Sequence, residues 1–392
     1  MIAPLLASLL LVAQNRPALD SATVTRVLNQ LKASDSSVCA LAGEALTNYG
    51  GFWRRSFADP GMPMPQQMPT PMPMPGGGAG GVHVDMHQHT RDMDPAVLRA
   101  FQGVIRDDNR CVRNIAARVL GNHGGSDTYN LFIGMLKDAR ADFRETGALG
   151  LGEREDTRAI GPLSDALSGD ASPVVRMTAA WALGEIEEKT AVGVLTRALD
   201  DRAPEVRRTA AWALGEIEDK SAVRPLSAAL DDPALEVRLT AVWALGEIDD
   251  ASEVPLLATA TKDRDARVRQ QAAWALGEIE SAQGIAPLEV LMRDPVADVR
   301  KTAIWALGEI EDEQAVEPLV GALKDSDEDV RATAAWALGE IESARAVDGL
   351  TAAQRDEVGS VRRAATWALR QIDDNDDHDV RVRVRPRVKV KP

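Results

Sequence analysis

The chain has 392 residues, 45 Lys+Arg against 60 Asp+Glu for a net charge of -15, and is 45% hydrophobic but only 4% aromatic. The apolar content suits a large folded body and excludes wholesale disorder, while the acidic balance weighs against a body that binds phosphate backbones. Eight Trp outnumber five Phe and two Tyr, and seven of them, Trp181, Trp212, Trp243, Trp274, Trp305, Trp336 and Trp367, recur every 31 residues, so the chain reads as a repeat array and not as a string of ordinary domains.

In chain order, residues 1–13 come first, an apolar run with Leu5, Leu6, Leu9, Leu10, Leu11 and Val12. The run is shorter than the roughly 20 residues that cross a bilayer. It has the apolar core of a secretory signal with Ala13 at the cleavage position, although no basic residue precedes that core. Export to a bacterial periplasm or cell envelope is the expectation; a cytoplasmic chain whose first helix packs on the end of the array is the alternative. Residues 18–51 read as a degenerate first hairpin through Val38, Ala42, Leu46, Asn48, Gly50 and Gly51. Cys39 and Cys111, the two cysteines, lack zinc-ligand spacing and begin the second helices of two successive hairpins. One disulfide in an exported protein and two buried free thiols both remain open.

Residues 52–93 interrupt the array with GMPMPQQMPTPMPMPGGGAGG, a flexible and partly extended insertion. Gly76, Gly78 and Gly81 match a dinucleotide fingerprint only formally, since no strand precedes them. Met62, Met64, Met68, Met72 and Met74, with His83, His87 and His89 behind them, bring together thioether and imidazole donors that suit copper. A linker that is merely Met-rich is the competing reading.

The array resumes at 94–154 with degenerate units. Val112, Arg113, Ala116, Leu120 and Gly121 follow Asp107, and Phe143, Arg144, Leu151, Gly152 and Glu153 follow Asp138. Residues 155–374 are regular. In the unit around Trp212, Val206, Ala210, Ala213, Leu214 and Ile217 form one apolar stripe, predicting a helix B over 204–217. The next segment, residues 221–230, carries Ala222, Val223, Leu226 and Leu230 at helical spacing, with Pro225 tolerated near its start. Each unit is therefore a helical hairpin. Each regular unit also has an Asp five residues before the Val (Asp201, Asp232, Asp263, Asp294, Asp325) and an Arg just after it (Arg207, Arg238, Arg269, Arg300, Arg331). The Asp is placed to cap helix B, and Asp and Arg of stacked hairpins can form a ladder of ion pairs. Ten hairpins fit the chain, the last closing on Arg370 and Gln371 in place of Gly-Glu, as a water-facing cap would.

The Asp, Val-Arg, Ala-Leu-Gly pattern resembles the short HEAT-like repeats of phycobilisome-lyase type. The ankyrin signature is absent and the tetratricopeptide spacing between Trp and Leu-Gly is wrong. The resemblance implies an all-α, right-handed α-solenoid whose second helices line the usual ligand-binding surface. At about 100° per residue Trp212 falls near 240° from Val206, away from helix A. The seven tryptophans are thus expected to run along the concave face, with rungs about 10 Å apart, or else to lie flat between neighbouring B helices; both can hold. Four residues on come Glu185, Glu216, Glu247, Glu278, Glu309 and Glu340, and four residues before the Trp the residue varies, as Arg208, Leu239, Gln270 and Lys301. A Trp/Glu groove suits an extended basic or proline-rich protein segment.

Residues 155–379 are strongly acidic, 24 basic against 46 acidic side chains for a net -22, so nucleic acid is not expected in the groove. Residues 375–392 are expected to be a disordered tail, acidic and then basic, from Arg381 to Lys391 alternating Val with Arg or Lys. That tail can be a solvated end, an anchor for an anionic surface, or a segment that docks in an acidic groove. The resemblance also raises an enzyme: relatives include bilin lyases and a di-iron hydroxylase held by His-Glu pairs. No His-Glu pair, nucleophile elbow or P-loop occurs in this sequence. The sequence therefore points to a non-catalytic interaction scaffold without a cofactor, with a lyase-like protein or a metal-handling envelope protein as the alternatives.

Overall fold

The computed structural model describes residues 20–32, 93–248 and 253–383, and beyond Asp373 the backbone alone. Among the described residues there are nineteen α-helices and no strand. Helix α1 (Ser21–Leu31) comes first, and the residues that follow it, 33–92, lie outside the described residues. Nine hairpins follow: α2 (Pro95–Gln102) with α3 (Arg110–His123), α4 (Ser126–Leu136) with α5 (Ala141–Gly152), α6 (Ile160–Gly169) with α7 (Pro173–Glu185), α8 (Val192–Ala198) with α9 (Pro204–Ile217), α10 (Val223–Ala229) with α11 (Leu235–Ile248), α12 (Val254–Ala260) with α13 (Ala266–Glu278), α14 (Ile285–Leu291) with α15 (Ala297–Glu309), α16 (Val316–Ala322) with α17 (Glu328–Glu340), and α18 (Val347–Ala353) with α19 (Gly359–Arg383).

The helices form two compact units, divided after Ala222. In the first, the B helices α3, α5, α7 and α9 pack each on the next; in the second, α11, α13, α15, α17 and α19 do the same, and every A helix packs on its own B helix. This is the α-solenoid architecture. Its core is one apolar stripe repeated: Val206, Ala210, Ala213, Leu214 and Ile217 are buried in one unit, and Val299, Ala303, Ala306 and Leu307 in another. A buried Leu or Val contributes about 1.5–3 kcal/mol, and the alanines let the layers close. Helix B of the reference unit spans Pro204–Ile217, as its periodicity predicts, with Pro204 at N1. Helix A is shorter than 221–230, because a 3-10 turn over Lys220–Ala222 leads into α10.

The repeated aspartate does more than a cap, and does it from one step further out. In α7, α9, α13, α15 and α17 it stands two residues before the N-cap, whose backbone N–H it accepts: Ser172 donates to Asp170 at 2.8 Å, Ala203 to Asp201 at 2.8 Å, Val296 to Asp294 at 2.9 Å and Asp327 to Asp325 at 2.8 Å. The same carboxylate takes a two-pronged arginine from the preceding repeat. Arg176 Nε and Nη2 reach Asp201 at 2.7 and 2.8 Å, Arg269 reaches Asp294 at 2.6 and 2.9 Å, and Arg300 reaches Asp325 at 2.8 Å by both prongs. The third guanidinium nitrogen, Nη1, donates to the carbonyl of the arginine's own repeat aspartate, 2.9 Å in Arg300 to Asp294. Each arginine thus ties its own turn to the next one. Burial acts to raise the Asp294 and Asp325 carboxyls, but the arginines and the backbone N–H groups outweigh it and hold both below the ordinary aspartate range.

Helix α19 departs from the sequence expectation. It runs through residues 375–383, where a disordered tail was expected, as far as Arg383. Arg381 and Arg383 fall in its last turn, where cations favour a helix through its dipole. Residues 384–392 lie outside the described residues.

An Asp325→Asn substitution removes the charge that holds Arg300 and should cost about 3 kcal/mol at neutral pH, measured by chemical denaturation. The folded pKa of Asp325 is lowered, so its contribution is present above the ordinary value of 3.8 and lost as pH falls through the folded value. The difference between wild type and variant should therefore shrink towards zero in strong acid; a constant difference would refute the ion-pair account.

Candidate functional site

The tryptophans do not stand free on a surface stripe. Trp181 and Trp212 are buried, and Trp243, Trp274, Trp305, Trp336 and Trp367 are half-buried. Each of six indoles turns its Cζ3 edge onto the glycine of the preceding repeat. A β-carbon on Gly184 would meet Trp212 Cζ3 at 2.8 Å, one on Gly277 would meet Trp305 at 3.2 Å, one on Gly308 would meet Trp336 at 3.0 Å, and Gly152, Gly246 and Gly339 stand likewise to Trp181, Trp274 and Trp367. The angle of about 240° that turns the ring from its own helix A points it at the neighbouring B helix. The stacking arrangement is the one observed, with part of five rings still open to solvent.

Within each unit glutamates stand four residues on from the rings. Glu185, Glu216, Glu247, Glu309 and Glu340 are half-buried and Glu278 is exposed. Burial, and then the charges of Glu340, Glu278, Glu280 and Glu311, push the Glu309 carboxyl above its ordinary value. Glu340 is raised by burial and by Glu311 and Glu342, against a hydrogen bond from Trp336 that lowers it. In the second unit these six glutamates on α13, α15, α17 and the turns that follow are close enough to repel one another. The ring N–H groups of Trp181 and Trp274 are buried without an acceptor.

The second member of each acidic pair escaped the sequence reading. Glu155, Glu187, Glu218, Glu280, Glu311 and Glu342 all have φ between 49 and 53°. This is the left-handed region that helix ends reserve for glycine, at a cost near 1 kcal/mol for other residues. The Gly-Glu-Ile-Glu pattern was the available signal. The variable positions Arg208, Leu239, Gln270 and Lys301 are half-buried. Two of them already have partners: Gln270 donates to Thr302 Oγ1 at 3.1 Å, and Lys301 pairs with Asp298 at 2.9 Å.

The proposed copper ligands Met62, Met64, Met68, Met72, Met74, His83, His87 and His89 lie outside the described residues. Among the described residues no group of His, Cys, Asp and Glu is arranged to hold a metal ion, and no helix is long and apolar enough to cross a membrane. Cys111 is disulfide-bonded, so the free-thiol reading does not hold for it; Cys39, the other cysteine of the sequence, is outside the described residues.

The profile of HEAT repeats matches this chain at residues 97–176, 160–236, 223–299 and 285–370. No curated protein matches. Among solved structures, importin beta is similar at 15% identity and a TM-score of 0.58, covering 90% of this chain and 52% of its own. Kap95p, in a structure describing its binding to RanGDP, has 14% identity and a TM-score of 0.58, covering 94% and 52%. The chain thus spans about half the length of both. The CpcE–CpcF phycocyanin lyase complex of a Nostoc species has 22% identity and a TM-score of 0.37, covering 63% and 94%.

Two variants probe this face. Gly308→Ala should destabilise by about 1–3 kcal/mol, although Gly to Ala in an open helix position gains up to about 1 kcal/mol. The new methyl would meet the indole of Trp336 and the Cβ of Ala337, 2.9 Å away; a gain in denaturation midpoint would contradict the contact. Glu309→Gln combined with Glu340→Gln should raise the melting temperature near neutral pH. Both folded pKa values are raised, so wild-type stability falls as pH rises from the ordinary 4.5 through the folded values. The advantage of the variant should vanish below pH 4.5, and equal melting curves at neutral pH would exclude the repulsion.

Proposed function

The chain belongs to the HEAT-repeat family, and from that premise we propose that it is a non-catalytic scaffold that binds an extended, basic or proline-rich segment of a protein partner. The segment lies along the B-helix face of the second unit, across Glu278, Glu309 and Glu340 with Glu280, Glu311 and Glu342. The observation that carries this reading is the crowding of like charge around Glu309 and Glu340, whose carboxyls burial and the neighbouring glutamates push above the ordinary value; a cation relieves it. The exposed parts of Trp274, Trp305 and Trp336 add ring faces for guanidinium, ammonium or proline contacts. The same charges oppose a nucleic acid ligand at this face.

Export to the periplasm or cell envelope belongs to the same proposal. Its support is the disulfide at Cys111 together with the apolar run Met1–Ala13, since disulfides persist in oxidising compartments.

Alanine in place of Trp is a poor test, because it empties the contact with the preceding repeat. Charge reversal at Glu309 and Glu340 is better. Glu309→Lys with Glu340→Lys should weaken binding of short Lys/Arg-rich peptides by at least about tenfold, or about 1.4 kcal/mol, while circular dichroism stays helical. Calorimetry that finds no peptide binding to the wild type, or equal binding to the reversed variant, would overturn the proposal.

A further inference from the structure

The chain carries its own candidate occupant. Beyond Arg383, the last described residue, come Val384, Arg385, Pro386, Arg387, Val388, Lys389, Val390, Lys391 and Pro392. In an extended chain the even positions fall on one edge and the odd positions on the other. The segment then has Val and Pro on one side and four cations on the other. Successive cations lie about 6.8 Å apart. The row of four spans about 20 Å, the distance across three B helices at about 10 Å each. Three rungs of the second unit offer paired acids at that interval: Glu278 with Glu280, Glu309 with Glu311, and Glu340 with Glu342. The apolar edge of the segment matches the half-buried rings of Trp274, Trp305 and Trp336 beside those acids.

Reach decides which copy is served. Gln371 is the residue of α19 that stands at the register position of Glu340, and the helix continues past it to Arg383, a rise of roughly 18 Å. Extended, Val384–Lys391 covers at most about 28 Å. A return to the level of its own acids leaves about 10 Å, one rung. Covering all three rungs requires the face of another molecule.

Resting on the binding face proposed above, we propose that residues 384–392 of one copy lie along the Glu278, Glu309 and Glu340 rungs of a second copy, so that the protein associates with itself through its basic tail. A reciprocal exchange of tails closes as a dimer, and one-way donation leaves a chain that can grow. In both cases the contact is ionic and open to salt, and it competes with any foreign basic segment for the same acids.

Sedimentation velocity on the full chain and on a chain ending at Arg383 tests this, since the truncation removes none of the described repeats. Between about 1 and 100 µM, at low ionic strength, the full chain should shift from monomer to a larger species. The shift should disappear at about 0.5 M salt, in the truncated chain, and in the Glu278→Gln, Glu309→Gln, Glu340→Gln variant. A full chain that stays monomeric, or a truncated chain that associates equally, overturns the proposal. A labelled peptide of residues 384–392 added to the truncated chain separates it from the broader reading. If unrelated Lys/Arg-rich peptides bind and this one does not, self-association falls and the binding face stands; if none binds, both fall.

Discussion

The missing side chain of one glycine per repeat is the constraint on which the stack depends. At Gly184, Gly277, Gly308 and Gly339 the space a β-carbon would fill is taken by the indole edge and the alanine of the next B helix. An indole on a bare backbone brings two helices closer than Leu against Leu allows, while the ring buries a large apolar surface. The Trp and the Gly it covers come from different repeats, 28 residues apart as in Trp212 and Gly184. Neither can be exchanged without the other.

The arginine fork fixes what the glycine permits. Close approach alone would let one hairpin slide on the next; two prongs on a carboxylate that also holds an N-cap N–H set the register in two directions. The repeat of α18 and α19 departs from this pattern. Arg362 keeps its Nη1 on the carbonyls of Asp356 and Glu357, at 2.7 and 2.8 Å, but the position 25 residues on, which holds the receiving Asp elsewhere, holds Arg387. Arg370, exposed, stands where the other repeats have the glycine. A further indole would have no bare backbone to land on there, the converse of the contact that joins the other repeats.

Much of this was legible in the sequence because helical periodicity encodes angle. The stripe from Val206 to Ile217 gave both the bounds of helix B and its buried face, and the Arg and Asp spacing led to the ion-pair ladder. What periodicity does not encode is the neighbour occupying a given angle. Trp212 does turn from its own helix A, but the space on that side belongs to the preceding B helix and only partly to solvent. The left-handed glutamates were hidden for a similar reason. Residue preference assigns that conformation to glycine, so Glu218 or Glu311 reads as one more charged helix residue until its φ is known. The helix through residues 375–383 is not legible from composition, because a densely charged segment reads as a solvated tail unless the helix before it carries on into it.

The two ladders have opposite electrostatic character in one architecture. Along the Asp/Arg line every carboxylate is paired in a two-pronged bridge or held by a backbone N–H, and the line stabilises the stack above the aspartate range of pH. Among the glutamates the neighbouring charges are alike, the Glu309 and Glu340 carboxyls are raised, and a second glutamate is added where glycine would be cheaper by about 1 kcal/mol. Gln at the first position and Gly at the second would each relieve the fold. The second unit instead keeps the unfavourable choice at Glu309 and at Glu340, where a hydrogen bond from Trp336 offsets part of it. Stability explains the aspartates; it does not explain the glutamates. Like charges renewed at the spacing of the helices give the B-helix face of the second unit a negative field that the paired aspartates do not share.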